Sequence, residues 1–133
     1  MADKTQNKGI FYEYFFYQDK YSKLYDFNAV VMMRVGDFYE FYQSDTKGFD
    51  LTRISEITNL TKTKRDKRKE KVDENNPYMA GFHYTSLHKF LKMIVDGGIT
   101  VVVVDHITPA PNPKRAVTGI YSAGTYISEN DSN

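Results

Sequence analysis

Residues 99–104 read I-T-V-V-V-V and constrain the fold more than any other segment of this chain. β-Branched residues favour extended backbone, and an apolar run without polar alternation is typical of a strand that is buried on both faces. Such a strand lies inside a sheet that helices cover on both sides. The chain is therefore expected to build a layered α/β domain around it.

Helix and strand patterns alternate along the rest of the chain. Apolar spacing predicts helices over residues 10–26 and 85–95, and β-rich runs predict strands over 29–35 and 116–121. Residues 37–49 are also predicted to be a helix, with Asp37 as N-cap and Glu40 closing a capping box, and 55–60 a weak strand. The predicted fold class is α/β: a single domain with a mixed β-sheet flanked by α-helices, in the order α-β-α-β-α-β-β.

The length of 133 residues suits one domain with one core. We expect a disordered lead at residues 1–9 and the domain at 10–127. A frayed tail, or the start of a linker to an absent connector domain, is expected at 128–133. The chain is thus interpreted as one domain of a longer protein.

The composition argues against membrane and secreted proteins. The chain has no cysteine, and no apolar run approaches the roughly 20 residues of a membrane span. The first eight residues are polar and lack the apolar core of a signal peptide. These features favour an intracellular protein with no membrane partner.

Basic charge is concentrated in one segment, although the net charge is only +1. Residues 62–71 hold seven basic and two acidic side chains, within a polar loop predicted at 62–76. One interpretation is a solvated, mobile charge run; the other is an arm that tracks phosphates. The candidates for contacts with a DNA backbone are Lys62, Lys64, Arg65, Lys67, Arg68 and Lys69, together with Arg34 further upstream.

The patterns of several enzyme classes are missing. The sequence contains no G-x-x-x-x-G-K-[ST] loop, and its three histidines lack metal-ligand spacing. Acidic residues at 37, 40, 45 and 50 could in principle serve a metal-dependent nuclease, but helix caps and surface acids are the favoured explanation. No catalytic residue and no metal ligand is predicted.

Phe38 and Glu40 admit two interpretations from the residues alone. They can be the first core residue and the capping acid of a helix. Alternatively, if the backbone is extended there, side chains two positions apart point the same way. Phe38 would then be an exposed wedge with Glu40 beside it.

An ordered set of motifs resembles the first domain of the MutS family of DNA mismatch repair proteins, in a divergent branch. The most specific is R-x-G-D-F-Y-E-x-F, which Arg34 to Tyr42 match as R-V-G-D-F-Y-E-F-Y. The motifs stand in family order from about residue 10 to 127. The turn at 20–25 comes before this one, and after it come P-Y-M-A-G at 77–81, G-I-T-V-V at 98–102, Arg115, and A-G-T at 123–125.

The resemblance implies a non-catalytic DNA-binding domain. Phe38 would stack on a mispaired base and Glu40 would hydrogen-bond to it, with Gly36 and Asp37 forming the supporting turn. The implied partners are double-stranded DNA with a mismatch or small loop, the other MutS-like domains, and a second subunit. ATP and Mg²⁺ would belong to a separate C-terminal ATPase domain, so no cofactor is expected in this chain.

Some positions depart from the family pattern. The chain has F-H-Y-T at 82–85 where V-P-Y-H is usual, and Asp105-His106 where Glu-Gln is typical. Tyr78 interrupts the P-M-A-G spelling. Two alternative functions stay open: a small metal-dependent nuclease that uses the acids at 37–50, and a protein-interaction module that presents the tyrosine-rich helix at 10–26.

Overall fold

A computed structural model describes residues 2–124, with side chains from residue 9 onward. Over this range it contains three α-helices, a single 3₁₀ turn (Tyr84–Ser86) and a six-stranded sheet. The helices are α1 (Ala2–Leu24), α2 (Leu51–Thr58) and α3 (Leu87–Asp96). The strands are β1 (Ala29–Val35), β2 (Phe38–Gln43), β3 (Thr63–Lys64), β4 (Tyr78–His83), β5 (Thr100–His106) and β6 (Arg115–Tyr121).

The sheet is mixed, in the order β3-β4-β2-β1-β5-β6. Only β1 and β5 run parallel; the other neighbouring pairs are antiparallel. The valines of the I-T-V-V-V-V segment lie in β5 between β1 and β6, and all four are buried. The prediction of an interior strand is therefore confirmed.

Two hydrophobic cores lie on opposite faces of the sheet. One joins alternate residues of β1, β2 and β5 to α2 and α3, which contribute Ile54, Phe90 and Ile94 among others. The other packs the aromatic face of α1, including Phe11 and Tyr14, against the remaining side chains of those strands. This layered arrangement confirms the predicted fold class.

The predicted helix at residues 37–49 is wrong. Its first half is β2, which pairs with β1 on one side and β4 on the other. Tyr39 and Phe41 enter one core and Tyr42 enters the other, so apolar residues do not alternate with polar ones. A strand buried on both faces can imitate helical spacing. Asp37 is consequently no N-cap, and Glu40 closes no capping box.

The predicted strand at residues 55–60 is wrong as well, because this region belongs to α2. The Asp50 carboxylate caps the helix by accepting from the Thr52 N–H at 3.0 Å. Asn59 ends it in the left-handed conformation, at φ 64°. With β2, α2 and β4 in place, the element order becomes α-β-β-α-β-β-α-β-β.

α1 begins at Ala2 and so includes most of the segment expected to be a disordered lead at 1–9. The tail expected at 128–133 lies outside the described residues, and the domain bounds 10–127 stay a prediction. None of the helices in residues 2–124 combines the length and apolar character that a membrane span requires.

Candidate nucleic-acid interface

A tight hairpin joins β1 to β2. Val35 pairs with Phe38, so Gly36 and Asp37 are the two residues of the turn. Gly36 has a φ of 59° while Asp37 does not enter the positive region, which is the pattern of a type II′ turn. The Asp37 carbonyl accepts a hydrogen bond from the Tyr84 N–H at 2.9 Å, which attaches the turn to the segment after β4.

Phe38 is the first residue of β2 and projects at the end of the sheet. Its neighbour in β4 is His83, whose ring meets it edge-on at 5.7 Å between centroids. Phe38 remains 45% exposed. The alternative that it is the first core residue of a helix is therefore wrong. An apolar ring supported from one side and open on the other is suited to stacking on a planar group.

Glu40 lies on the same face of β2 as Phe38, because side chains two apart in a strand share a face. It is flanked by Met33 in β1 and by Gly81 in β4. The Tyr42 hydroxyl donates a hydrogen bond to its Oε1. The structure thus gives Glu40 a position beside Phe38 and a partner within its own strand.

Burial raises the pKa of the Glu40 carboxyl above its ordinary value. The hydrogen bond from Tyr42 and the positive charges of Arg65 and Arg115 act in the opposite direction. Burial of a charged group is unfavourable, and here it outweighs these three favourable contacts. The proton on Glu40 is therefore held more tightly than on an exposed glutamate.

Arg34 braces the hairpin from the opposite face of the sheet. Its Nε donates to the Gly36 carbonyl at 2.6 Å, and its guanidinium lies 4.2 Å from the centre of the Tyr84 ring. Asp105 pairs with Arg34 at 3.9 Å and also accepts from the Tyr39 hydroxyl. Burial, together with this acidic partner, raises the pKa of Tyr39 to about 12. Arg34 is thus committed to internal contacts.

Arg115 connects the same region to α1. Its Nε donates to the Arg34 carbonyl at 2.7 Å, and its Nη1 lies 3.2 Å from the Glu13 carboxylate. The sequence signalled Arg115 only as part of a resemblance and Asp105 only as a departure. Their roles could not be read from spacing, since their partners are 66 to 102 residues away in the chain.

The basic segment distributes its side chains to both sides of the sheet. Lys62 lies 4.2 Å from the centre of the Tyr78 ring and donates to the Thr52 hydroxyl of α2 at 3.1 Å. Lys64 shares that side as the second residue of β3. Arg65, one position later, lies near enough to lower the pKa of Glu40. Arg65 therefore lies toward the Glu40 side of the sheet, opposite to Lys62 and Lys64.

The centre of the basic segment is exposed but anchored. The buried Asn76 side chain accepts from the Asp66 N–H at 2.7 Å and donates to the Lys71 carbonyl at 2.9 Å. Arg68 pairs with Asp66 at 3.1 Å. Lys67 and Lys69 are exposed and form no salt bridge within the described residues. These contacts give the loop internal hydrogen bonds and an ion pair that stabilise its conformation.

The acidic residues and the aromatic helix α1 were the features that suggested a nuclease and a protein-interaction module. Within the described residues, no three acidic or histidine side chains come together as a metal site would need. The aromatic face of α1 mostly enters the core, although Tyr12 and Phe16 stay exposed. These two rings line a groove of about 540 Å³ between α1 and residues near Lys47 and Glu74.

Sequence comparison relates this chain to known proteins. The family model of MutS domain I matches residues 16–130. The chain is 32% identical over 132 residues to a putative DNA mismatch repair protein, a mutS homolog, of Acanthamoeba polyphaga mimivirus; the match covers 96% of this chain and 12% of that protein. It is 33% identical over 106 residues to the DNA mismatch repair protein MutS of Petrotoga mobilis, covering 77% of this chain and 11% of that protein.

A further relative, the DNA mismatch repair protein MutS of Methanothrix thermoacetophila, is 34% identical over 105 residues, covering 75% of this chain and 11% of that protein. The chain thus spans 11–12% of the length of these relatives. The family model covers most of the chain, including the hairpin of β1 and β2. This chain therefore belongs to the MutS domain I family.

Proposed function

We propose that this chain recognises mismatched double-stranded DNA within a mismatch repair protein. Phe38 stacks on the mispaired base, and Glu40 accepts a hydrogen bond from it. The observation that carries this proposal is that an exposed aromatic ring and a carboxylate share one face of β2 at the end of the sheet.

The energetic cost of inserting Phe38 favours mismatched over correctly paired duplex. Inserting an apolar side chain between base pairs costs a few kcal/mol in lost stacking. A mispaired base is less well stacked and paired, so that cost is smaller. Stacking on an aromatic ring returns about 1–3 kcal/mol per base and is insensitive to base identity. Phe38 would therefore recognise sites where the duplex is easily deformed, whatever their base sequence.

Glu40 adds a penalty against ordinary duplex. A carboxylate close to DNA is repelled by the phosphates, and the Watson–Crick-edge N–H groups of a correctly paired base are already bonded to its partner. A displaced mispaired base exposes N–H groups that can donate a hydrogen bond to the carboxylate. The wedge favours deformable sites, and Glu40 adds to the discrimination against ordinary duplex.

Arg65 and the exposed basic residues Lys67, Arg68 and Lys69 are proposed to contact phosphates. Arg65 is the best placed of these, because its positive charge acts on Glu40. Arg34 has a different proposed role: its hydrogen bond to Gly36 and its pairing with Asp105 hold the turn that presents Phe38. Lys62 and Lys64 face the α2 side and are not expected to reach the same DNA.

The remaining partners are proposed for the longer protein that the relatives represent. Other MutS-like domains and a second subunit would complete the clamp around DNA. ATP and Mg²⁺ would act in a separate ATPase domain, and the domain described here would contribute no catalytic residue.

The test compares Phe38→Ala with Phe27→Ala. Phe27 is 76% exposed and lies just before β1, at the end opposite the hairpin. Because β1 has seven residues and a strand rises about 3.3 Å per residue, Phe27 is roughly 23 Å from the hairpin. Fluorescence anisotropy with a G·T duplex and the matched homoduplex measures the preference. We expect Phe38→Ala to lose the preference and Phe27→Ala to keep it. The measurement is made on the chain and on a chimera in which it replaces the matching segment of the Petrotoga mobilis protein. An unchanged preference in Phe38→Ala would contradict the proposal.

A further inference from the structure

We infer that Tyr42 is a positioning residue for Glu40, fixing one carboxylate oxygen and leaving the other to meet the base. This inference rests on the proposed function, because it concerns how Glu40 is presented to DNA. It begins from the hydrogen bond that the Tyr42 hydroxyl donates to Glu40 Oε1.

The Tyr42 ring is immobilised by its surroundings. It is 1% exposed and belongs to the core beneath α1. Phe11 and Tyr14 meet it edge-on, at 5.1 Å and 5.0 Å between centroids. Edge-to-face pairs of this kind are favourable and directional. A phenol held in this way keeps its hydroxyl at a fixed point beside Glu40.

Glu40 has few other restraints on its carboxylate. Gly81, directly opposite in β4, has no side chain to confine it. Among the described residues, Tyr42 is the only hydrogen-bond partner of the Glu40 side chain. The orientation of the carboxylate therefore depends on the Tyr42 hydroxyl.

The same hydrogen bond affects the protonation of Glu40. The charges that lower the pKa of Glu40 are those of Arg65 in the basic segment and Arg115 in β6, and Glu13 of α1 is paired with Arg115. An O–H donor stabilises the carboxylate relative to the carboxylic acid. Tyr42 thus opposes the effect of burial and favours the form of Glu40 that only accepts hydrogen bonds.

The pattern R-x-G-D-F-Y-E-x-F has phenylalanine two positions after the glutamate. Phenylalanine can fill the same place in the core but cannot donate a hydrogen bond. Tyr42 therefore adds to this chain a donor that the pattern lacks. It follows that a Tyr42→Phe substitution should preserve packing while removing the contact.

The first experiment measures Glu40 directly, without DNA. The side-chain carboxyl of ¹³C-glutamate-labelled chain is titrated by NMR, and the Glu40 signal is assigned by its loss in Glu40→Gln. In Tyr42→Phe we expect the pKa of Glu40 to rise. Tyr25→Phe is the matched control, because it removes a hydroxyl at the edge of the same cluster, from a ring that stacks on Tyr21. An unchanged Glu40 pKa in Tyr42→Phe overturns the inference, whatever the DNA results are.

The second experiment measures the ratio of mismatch to homoduplex affinity across pH. We expect Tyr42→Phe to lower this ratio several-fold and to move its pH midpoint upward, while Tyr25→Phe follows the wild type. If the Glu40 pKa rises but the ratio stays at the wild-type value, Tyr42 has no positioning role in recognition. The proposed function is judged separately, by Phe38→Ala, so the two can fail independently.

Discussion

Glu40 and Gly81 lie directly opposite each other in β2 and β4, and there is no room between them for a methyl group. A Cβ added to Gly81 would come within 2.9 Å of the Tyr39 carbonyl oxygen and 3.3 Å of Glu40 Cγ. The first of these atoms is backbone and cannot turn away. Gly81 is therefore required for the close approach of β4 to the strand that presents Phe38.

Gly81→Ala should destabilise the domain by about 1–3 kcal/mol, the usual cost of overpacking. Gly9→Ala is the control: Gly9 lies in α1 with open space around its Cα, and alanine there should add up to about 1 kcal/mol of helix stability. Urea denaturation of both variants gives the free energies. Equal stabilities for Gly81→Ala and the wild type would show that β2 and β4 can separate at little cost.

Glu40→Gln should become more stabilising, relative to the wild type, as pH rises. Burial makes the folded chain bind the Glu40 proton more tightly than the unfolded chain does. Wild-type stability therefore falls as pH rises from the unfolded pKa through the raised folded pKa. Glutamine cannot ionise and escapes this loss, while its side-chain oxygen can still accept from Tyr42.

Thermal or urea unfolding at a series of pH values checks this course. The stability difference between Glu40→Gln and the wild type should grow through that window and level off above the folded pKa. Glu56→Gln, which removes an exposed carboxylate from α2, controls for the change in net charge. A difference that shrinks with rising pH would mean that Glu40 is stabilised as a carboxylate.

Arg65→Ala and Lys62→Ala should separate the two sides of the basic segment. If Arg65 contacts a phosphate, its loss weakens binding to every duplex and reduces the slope of log affinity against log salt by about one unit. Lys62 is engaged by Tyr78 and Thr52 on the α2 side, so its loss should leave the slope unchanged. Anisotropy titrations at several salt concentrations measure both. A larger effect from Lys62→Ala would place DNA on the other face.

Gln18→Leu should be strongly destabilising, although the change makes α1 more apolar. Buried Gln18 accepts from the Val31 N–H and donates to the Ala29 carbonyl, both at 2.8 Å. Leucine leaves both β1 groups buried without partners, at about 1–3 kcal/mol each. Urea denaturation should show a loss of at least about 2 kcal/mol by that reckoning. The exposed neighbour variant Lys20→Leu should change stability by no more than about 0.5 kcal/mol.

Much of the architecture follows from the sequence. β1 spans the predicted residues, and the β-branched run at 99–104 identifies the interior strand β5 with a shift of one or two residues at its ends. Gly97 and Gly98 mark the end of α3 as the C-cap pattern indicates. α2 was missed although its signals were present, with Asp50 as N-cap and Leu51 and Ile54 on one face.

Other decisions required the tertiary structure. Phe38, Phe41 and Tyr42 have the spacing of a helix, and only pairing with β1 and β4 makes them a strand with two buried faces. The R-V-G-D-F-Y-E-F-Y run identified the segment that carries Phe38 and Glu40. In the predicted helix these two side chains would point in different directions, whereas in β2 they share one face.

The sequence by itself therefore determined the family, the layered fold and the segment of interest. The tertiary structure alone decided that Phe38 is exposed, that Glu40 is partly buried beside Tyr42, and that Arg34 is held by Asp105. The physical reason is that exposure, desolvation and ion pairing depend on groups brought from distant parts of the chain. Local spacing carries no information about which of those groups arrive.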